Sequence, residues 1–323
     1  MNNPIGIAIH GGAGALKRED LSAAEWAQAR ATLRQSLGAG HAILARGGSA
    51  LDAVEAAVVI MEDALPFSAG YGSALNAGNF HELDASIMDG ATLAAGSVCC
   101  ARRIRNPIRA ARAIMAEGEW VSLACDGADA WAERAGLAMV PNSHFTTPRR
   151  VEAWRRQKAL DEARGREPAG KEGRHSTVGA VALDRSGNLA AATSSGGFDN
   201  KPVGRFSDVG VIGAGTYARN GTCAVSCTGR GELVIRSVAG HEIASRMAYG
   251  GQSLKEATDR FIFVDMKRWD NNAGLCAIDA QGNAVLPYST LAMYRGYVTP
   301  DGALHVGIHD DFAREETLPL GAP

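Results

Sequence analysis

The chain is 323 residues long, 46% hydrophobic and 21% charged, with 33 Lys and Arg against 35 Asp and Glu for a net charge of −2. Such a chain can bury a large core and reads as a soluble globular protein. The near balance of charge, with no long basic block, argues against nucleic acid or an anionic membrane as a general partner. Met1-Asn2-Asn3-Pro4 leads into a strand-like run without a basic and apolar leader, and the charge-free residues 64–80 hold too much Gly, Ser, Asn and Pro to span a bilayer, so a cytoplasmic location is expected. The six cysteines form no C-x-x-C motif, and Cys223 and Cys227 have no His at ligand spacing, so they read as small buried strand residues.

Residues 5–9 form a first predicted strand ending at His10-Gly11-Gly12-Ala13-Gly14, where glycines allow a sharp turn and close backbone approach. No Gly-Lys-Ser/Thr follows, which discounts a nucleotide loop. Residues 21–46 carry helix periodicity and stop at Gly47-Gly48. Ser49 then caps a second helix, with Asp52 three residues on and Val54, Ala57, Val58 and Met61 on one face. Residues 64–79 are irregular. Residues 82–88 and 97–102 read as paired strands, and Asn106-Pro107 opens a helix through residue 116, with Asn as cap. Residues 120–124 read as a strand and 128–135 and 148–160 as helices, followed by a polar segment over 161–175.

From Thr177 the side chains alternate, with Thr177, Gly179, Val181 and Leu183 on one face and Val178, Ala180 and Ala182 on the other. Asp184-Arg185-Ser186-Gly187-Asn188 turns the chain into a return strand over 189–193, and the small residues suit a sheet pressed closely on another sheet. Residues 209–212, 223–226 and 233–235 read as strands and 237–249 and 253–262 as helices. A second hairpin, 275–287, turns at Asp279-Ala280-Gln281-Gly282-Asn283 much as the first does. Gly213-Ala214-Gly215-Thr216-Tyr217-Ala218 matches a dinucleotide fingerprint, but a turn and a strand run follow where that fold needs a helix. Strands clustered mid-chain and late, with helices outside, predict one α/β domain of two stacked antiparallel sheets between helical layers.

The stretch from Gly173 to Gly197, with Gly204-Arg205-Phe206-Ser207-Asp208, Ser226-Cys227-Thr228-Gly229-Arg230-Gly231-Glu232, the His10 glycine run and Glu82-Leu83-Asp84-Ala85, resembles the plant-type (type III) L-asparaginase and isoaspartyl peptidase family. Those are N-terminal-nucleophile hydrolases of αββα fold, whose precursor cuts itself before a threonine. The resemblance implies autocleavage between Ser176 and Thr177 into residues 1–176 and 177–323, which pair as αβ units into a homodimer. It implies Thr177 as nucleophile, with Ser195 beside it. Thr228 and Gly229 would form the oxyanion hole. Arg205 would face the α-carboxylate of a small aspartyl substrate, and Asp208 its α-ammonium, together with the Gly231 carbonyl. Gly11 and Gly12 would lie beside the scissile site. Catalysis would need no cofactor, and a structural sodium ion would sit among the carbonyls of Met61, Glu62, Ala64, Phe67, Ala69 and Tyr71.

An N-terminal threonine carries its own base, an α-amine with a reference pKa of about 7.7–8.0, near working pH. A planar guanidinium suits a planar carboxylate. Three positions depart from the family's usual residues: Ser68 for Asn, Ser176 for Gly or Asp, and Ser195 for Thr. Competing readings are a glycosylasparaginase-like amidase, an uncleaved inactive homologue, and a dinucleotide-binding protein.

Overall fold

The computed structural model describes residues 4–165, 177–269 and 272–320. Its first strand, β1 (Gly6–Gly14), runs through the glycine motif instead of turning there. The glycines form a bulge between His10 and Ala13, and pairing resumes beyond it. Ser22 and Glu25 close a capping box on α1 (Ala23–Ala45). Ser49 caps α2 (Ala50–Glu62) through the Asp52 N–H, while the Asp52 carboxylate goes to Arg112.

After the irregular loop, β2 (Leu83–Asp89) and β3 (Ala95–Ala101) pair as expected. Pro107 opens α3 (Pro107–Glu117), but Asn106 does not cap it. Its amide donates to Asp63, and Glu62 reaches over from α2 to accept the Ile108 N–H. β4 (Ser122–Ala124), α4 (Cys125–Arg134) and α5 (Pro148–Ala163) complete the first half.

β5 (Thr177–Leu183) and β6 (Leu189–Ser195) form the expected hairpin. The Asp184 carboxylate accepts the N–H groups of Ser186 and Asn188, and Asp279 accepts those of Gln281 and Asn283, so the two Asp-to-Asn turns share one design. The strands expected over 209–212 and 233–235 are absent. Residues 208–210 form a 3-10 turn, and the Val209 and Gly210 carbonyls are taken by the Ser86 and Ser97 hydroxyls rather than by a neighbouring strand. The strands that follow are β7 (Thr216–Ala218) and β8 (Cys223–Gly229). Residues 233–235 lie in α6 (Gly231–Ser237), since a short apolar run serves a buried helix face as well as a strand. α7 (Ala239–Ala248) and α8 (Leu254–Arg260) precede β9 (Ala273–Asp279) and β10 (Ala284–Val285). β11 (Ala292–Val298), β12 (Ala303–Gly307) and β13 (Ala313–Thr317), which have no counterpart in the sequence reading, extend the larger sheet.

The larger sheet runs β13-β12-β11-β1-β5-β6-β2-β3-β4 and is antiparallel except at its β3–β4 edge, so it is mixed; the smaller, β10-β9-β8-β7, is wholly antiparallel. α1, α2 and α3 cover the larger sheet, α7 and α8 cover the smaller, and the sheets meet through β1, β5 and β6 on one side and β8 and β9 on the other. This is the four-layer αββα arrangement. The alternation of β5 holds, with Val178, Ala180 and Ala182 in the helix-side core and Val181 and Leu183 between the sheets. Gly179 shows how close the sheets lie, because a Cβ there would stand 1.9 Å from Ser226 Oγ. Among the described residues, no helix is long and apolar enough to cross a membrane.

Candidate active site

β5 begins at Thr177, two residues before Gly179, where its ladder with β1 ends. Thr177, Ser195, Arg205, Asp208 and Gly229 line one small cleft, together with Gly197, Phe198 and Ser207, which the sequence reading did not single out. Thr177 and Ser195 are register partners, and the Thr177 hydroxyl donates to Ser195 Oγ at 3.1 Å. Ser195 Oγ also accepts the Gly197 N–H at 3.0 Å. That bond leaves the Ser195 proton available to a threonine oxygen that has lost its own. Ser176 lies outside the described residues.

Thr228 Oγ1 accepts the Ala13 N–H at 3.2 Å from just past the β1 bulge, so its own proton is free to be donated elsewhere. Gly229 has φ 127°, and a Cβ there would lie 2.5 Å from the Asn272 carbonyl, a position only glycine fills without strain. Gly12 (φ 106°) makes the bulge, and Gly11 packs so closely on Phe67 that a Cβ would approach its ring to 2.3 Å. Gly11, Gly12 and Ser68 are not among the residues lining the cleft. Ser68 supports its floor through its carbonyl, which accepts the Gly196 N–H, while its buried hydroxyl has no partner among the described residues.

Arg205 and Asp208 do not form the simple i,i+3 ion pair that their spacing allows. Arg205 turns Nε and Nη2 to Glu232 Oε1, each at 2.9 Å, and lies 4.9 Å over the Phe198 ring. Asp208 is 2% exposed, and among the described residues its Oδ2 has no hydrogen-bond partner. Burial pushes its carboxyl up to about 7, and the neighbouring Arg205 charge only partly opposes that. Gly231 fits against both groups; a Cβ there would fall 2.7 Å from Asp208 Oδ1 and 2.8 Å from Arg205 Nη2. The segment is held from beneath by the motif on β2. Asp84 accepts both the N–H and the hydroxyl of Ser207, Glu82 accepts the Gly204 N–H, and buried Lys201 donates to the Glu82 carbonyl. Glu232 and these supports were legible only as members of motif blocks, with nothing in the sequence to show where they point.

The expected cation-binding residues lie in the turn leaving α2. Among the described residues, the carbonyls of Phe67, Ala69 and Tyr71 accept no hydrogen bond, whereas Glu62 O accepts the Tyr71 N–H at 2.7 Å. The buried Glu62 carboxyl accepts from Ser194 Oγ at 2.6 Å and is pushed up to about 8 by burial, tying this turn to the residue beside Ser195. Among the described residues, no three His, Cys, Asp or Glu side chains converge on a metal site.

A threonine at a strand mouth, a neighbouring hydroxyl and an Arg-Asp pair can together attack a carbonyl in a substrate that carries both charges. A family model described as asparaginase matches residues 2–308. The chain is 42% identical over 294 residues to an isoaspartyl peptidase of Escherichia coli (strain K12), covering 90% of this chain and 92% of that one. It is 39% identical over 303 residues to an isoaspartyl peptidase/L-asparaginase of Xenopus laevis, covering 94% of each chain. It is also 36% identical over 317 residues to an isoaspartyl peptidase/L-asparaginase of Homo sapiens, covering 98% and 100%. With that coverage and the cleft geometry, the chain belongs to the asparaginase family of N-terminal-nucleophile hydrolases.

Proposed function

We propose that the protein is a threonine-nucleophile amidohydrolase that cleaves β-aspartyl dipeptides and L-asparagine, releasing L-aspartate. The observation that carries this reading is Asp208, a buried carboxylate with one oxygen unpartnered among the described residues, in the same cleft as Thr177 and Arg205. Such a group calls for a cation, and an α-ammonium beside an α-carboxylate supplies one charge for each partner. Thr177, freed at its N-terminus, attacks the side-chain carbonyl while its α-amine takes the hydroxyl proton and returns it to the leaving nitrogen. Thr228 Oγ1 and the Gly229 N–H receive the oxyanion, and Ser195 donates to the attacking oxygen. Water then releases aspartate from the acyl-threonine. The matured protein is expected to hydrolyse β-Asp-Leu and to leave α-Asp-Leu and N-acetyl-asparagine nearly untouched. Equal rates on α- and β-Asp-Leu would remove the aspartyl specificity while leaving the hydrolase reading.

The turn after α2 suits a hard cation, since carbonyls of Phe67, Ala69 and Tyr71 are unused. Sodium held there would stiffen the floor under Ser68 and Ser194 and take no part in the chemistry. Melting in NaCl should then occur at a higher temperature than in tetramethylammonium chloride at equal ionic strength; equal melting temperatures count against the site. The αβ units pair into a dimer, so sedimentation should read two chains' mass, and a one-chain mass refutes this.

A further inference from the structure

Five polar side chains from both sheets form a single file in the interior, ending on the Thr177 peptide. The β1–β5 ladder runs from Gly6↔Leu183 to His10↔Gly179 and stops where β1 bulges. Thr177 therefore has a β6 partner but none on β1. The His10 side chain takes the vacant place, with Nδ1 3.0 Å from the Thr177 carbonyl oxygen. A carbonyl only accepts, so Nδ1 carries a proton. Burial keeps the ring neutral, lowering its pKa to about 3, so Nε2 holds a lone pair and Ser226 Oγ donates to it at 2.9 Å.

That single assignment orders the rest. With its proton given to His10, Ser226 accepts from Thr193 Oγ1 at 2.7 Å, and Thr193 accepts from Thr216 Oγ1 at 2.6 Å. Ser86 Oγ heads the file, 2.7 Å from Thr216 Oγ1 and 2.5 Å from the Val209 carbonyl. His10, Ser86, Thr193, Thr216 and Ser226 are all fully buried. Gly179 leaves the space for the file, since its Cβ would strike both Ser226 Oγ and His10 Nε2. Apolar residues of the same shape would pack here without the desolvation cost, so the hydroxyls stand in need of a purpose. A proton cannot be delivered to a carbonyl in this way, so that purpose is orientation.

We propose that His10 is a positioning residue for the nucleophile, replacing the strand partner lost at the β1 bulge, and that the hydroxyl file Thr216-Thr193-Ser226 locks its tautomer. It rests on Thr177 being the nucleophile. Aiming Thr177 through its own peptide directs both its α-amine and its hydroxyl, while the segment carrying Arg205 and Asp208 is held by Glu82 and Asp84 and meets the file only at its far end, where Ser86 donates to the Val209 carbonyl.

The test uses the matured protein and β-Asp-Leu. His10→Ala should lower kcat about 100-fold, the size expected for a nucleophile displaced by roughly 1 Å. KM should stay within about twofold, because the groups that hold the substrate are untouched. His10→Asn, whose amide N–H falls near the Nδ1 position, should recover most of the loss. Ser226→Ala should lower kcat without moving KM. Selective 15N-histidine spectra should show His10 protonated at Nδ1 in the wild type and losing that preference in Ser226→Ala. Wild-type kcat in His10→Ala, or an Nε2–H tautomer in the wild type, overturns the proposal. If His10→Ala does not mature, the spectra and Ser226→Ala decide. Thr177→Ala run alongside separates the two failures: an active Thr177→Ala sinks the nucleophile reading and this proposal with it, whereas an inactive Thr177→Ala beside wild-type kcat in His10→Ala sinks this proposal alone.

Discussion

Purified wild-type protein under denaturing conditions is expected to give two masses, Met1–Ser176 and Thr177–Pro323, and Thr177→Ala a single intact chain. In that self-cleavage Thr177 Oγ1 would attack the Ser176 carbonyl carbon, the bond from that carbon to the Thr177 nitrogen would break with the hydroxyl proton passing to the nitrogen, and the ester so formed would be hydrolysed by water to the Ser176 carboxylate and the Thr177 hydroxyl, leaving the α-amine free. The geometry favours Thr177 in this role, because its hydroxyl is buried against Ser195 and its peptide is held by His10. Without the Oγ neither this step nor catalysis has a nucleophile, so Thr177→Ala should lose about 10⁴–10⁶-fold in kcat, as nucleophile removal does in comparable hydrolases. Ser176→Gly should speed cleavage, because losing the Cβ relaxes the backbone restraint at the scissile bond. Cleavage at another bond, or a wild-type chain still whole after long incubation, removes Thr177 from this role.

The second large effect concerns acid. In the free enzyme Asp208 has a pKa of about 7, raised by burial. Only its carboxylate holds an ammonium, so binding is full above that pH and is lost as pH falls through it. The Thr177 amine, with a reference pKa of about 7.7–8.0, must also be unprotonated to act as base. Two proton uptakes therefore oppose kcat/KM, and its logarithm should fall with a slope approaching two on the acid side. In the substrate complex the bound ammonium keeps Asp208 ionised, so kcat should fall with a slope of one. Asp208→Asn should abolish one limb of the kcat/KM profile. It should also cost roughly 10²–10³-fold, since losing one partner of a buried charge pair costs about 2–5 kcal/mol. A wild-type kcat/KM profile of slope one, or full activity in Asp208→Asn, rejects the assignment.

Much of this protein was legible in its residues alone. Alternation from Thr177 to Leu183 marked the nucleophile strand and both of its faces, because a strand's side chains obey a period of two whatever surrounds them. Ser49 and the two Asp-to-Asn turns were readable because capping and turn bonds join residues two to four positions apart. The failures share the opposite property. Residues 209–212 and 233–235 look like strands locally, and what a short apolar run becomes depends on what it packs against. The glycine run at residues 10–14 was read as a turn, although the neighbouring strand β11 picks up Ala13 beyond the bulge and keeps it in the sheet.

The site divides along the same line. The residue types proposed as nucleophile and head-group pair were determined by the sequence, since hydroxyl, guanidinium and carboxylate chemistry belongs to each side chain. What only the tertiary structure decided was which of them are paired and which are left open. Glu232 occupies one edge of Arg205 from 27 positions away, while Asp208 Oδ2 has no partner among the described residues and burial raises its carboxyl. His10 meets Thr177 across 167 positions and Ser226 across 216. Hydrogen bonds and desolvation act over a few ångströms, and distances of that order between residues so far apart along the chain exist only once the two sheets have closed on each other.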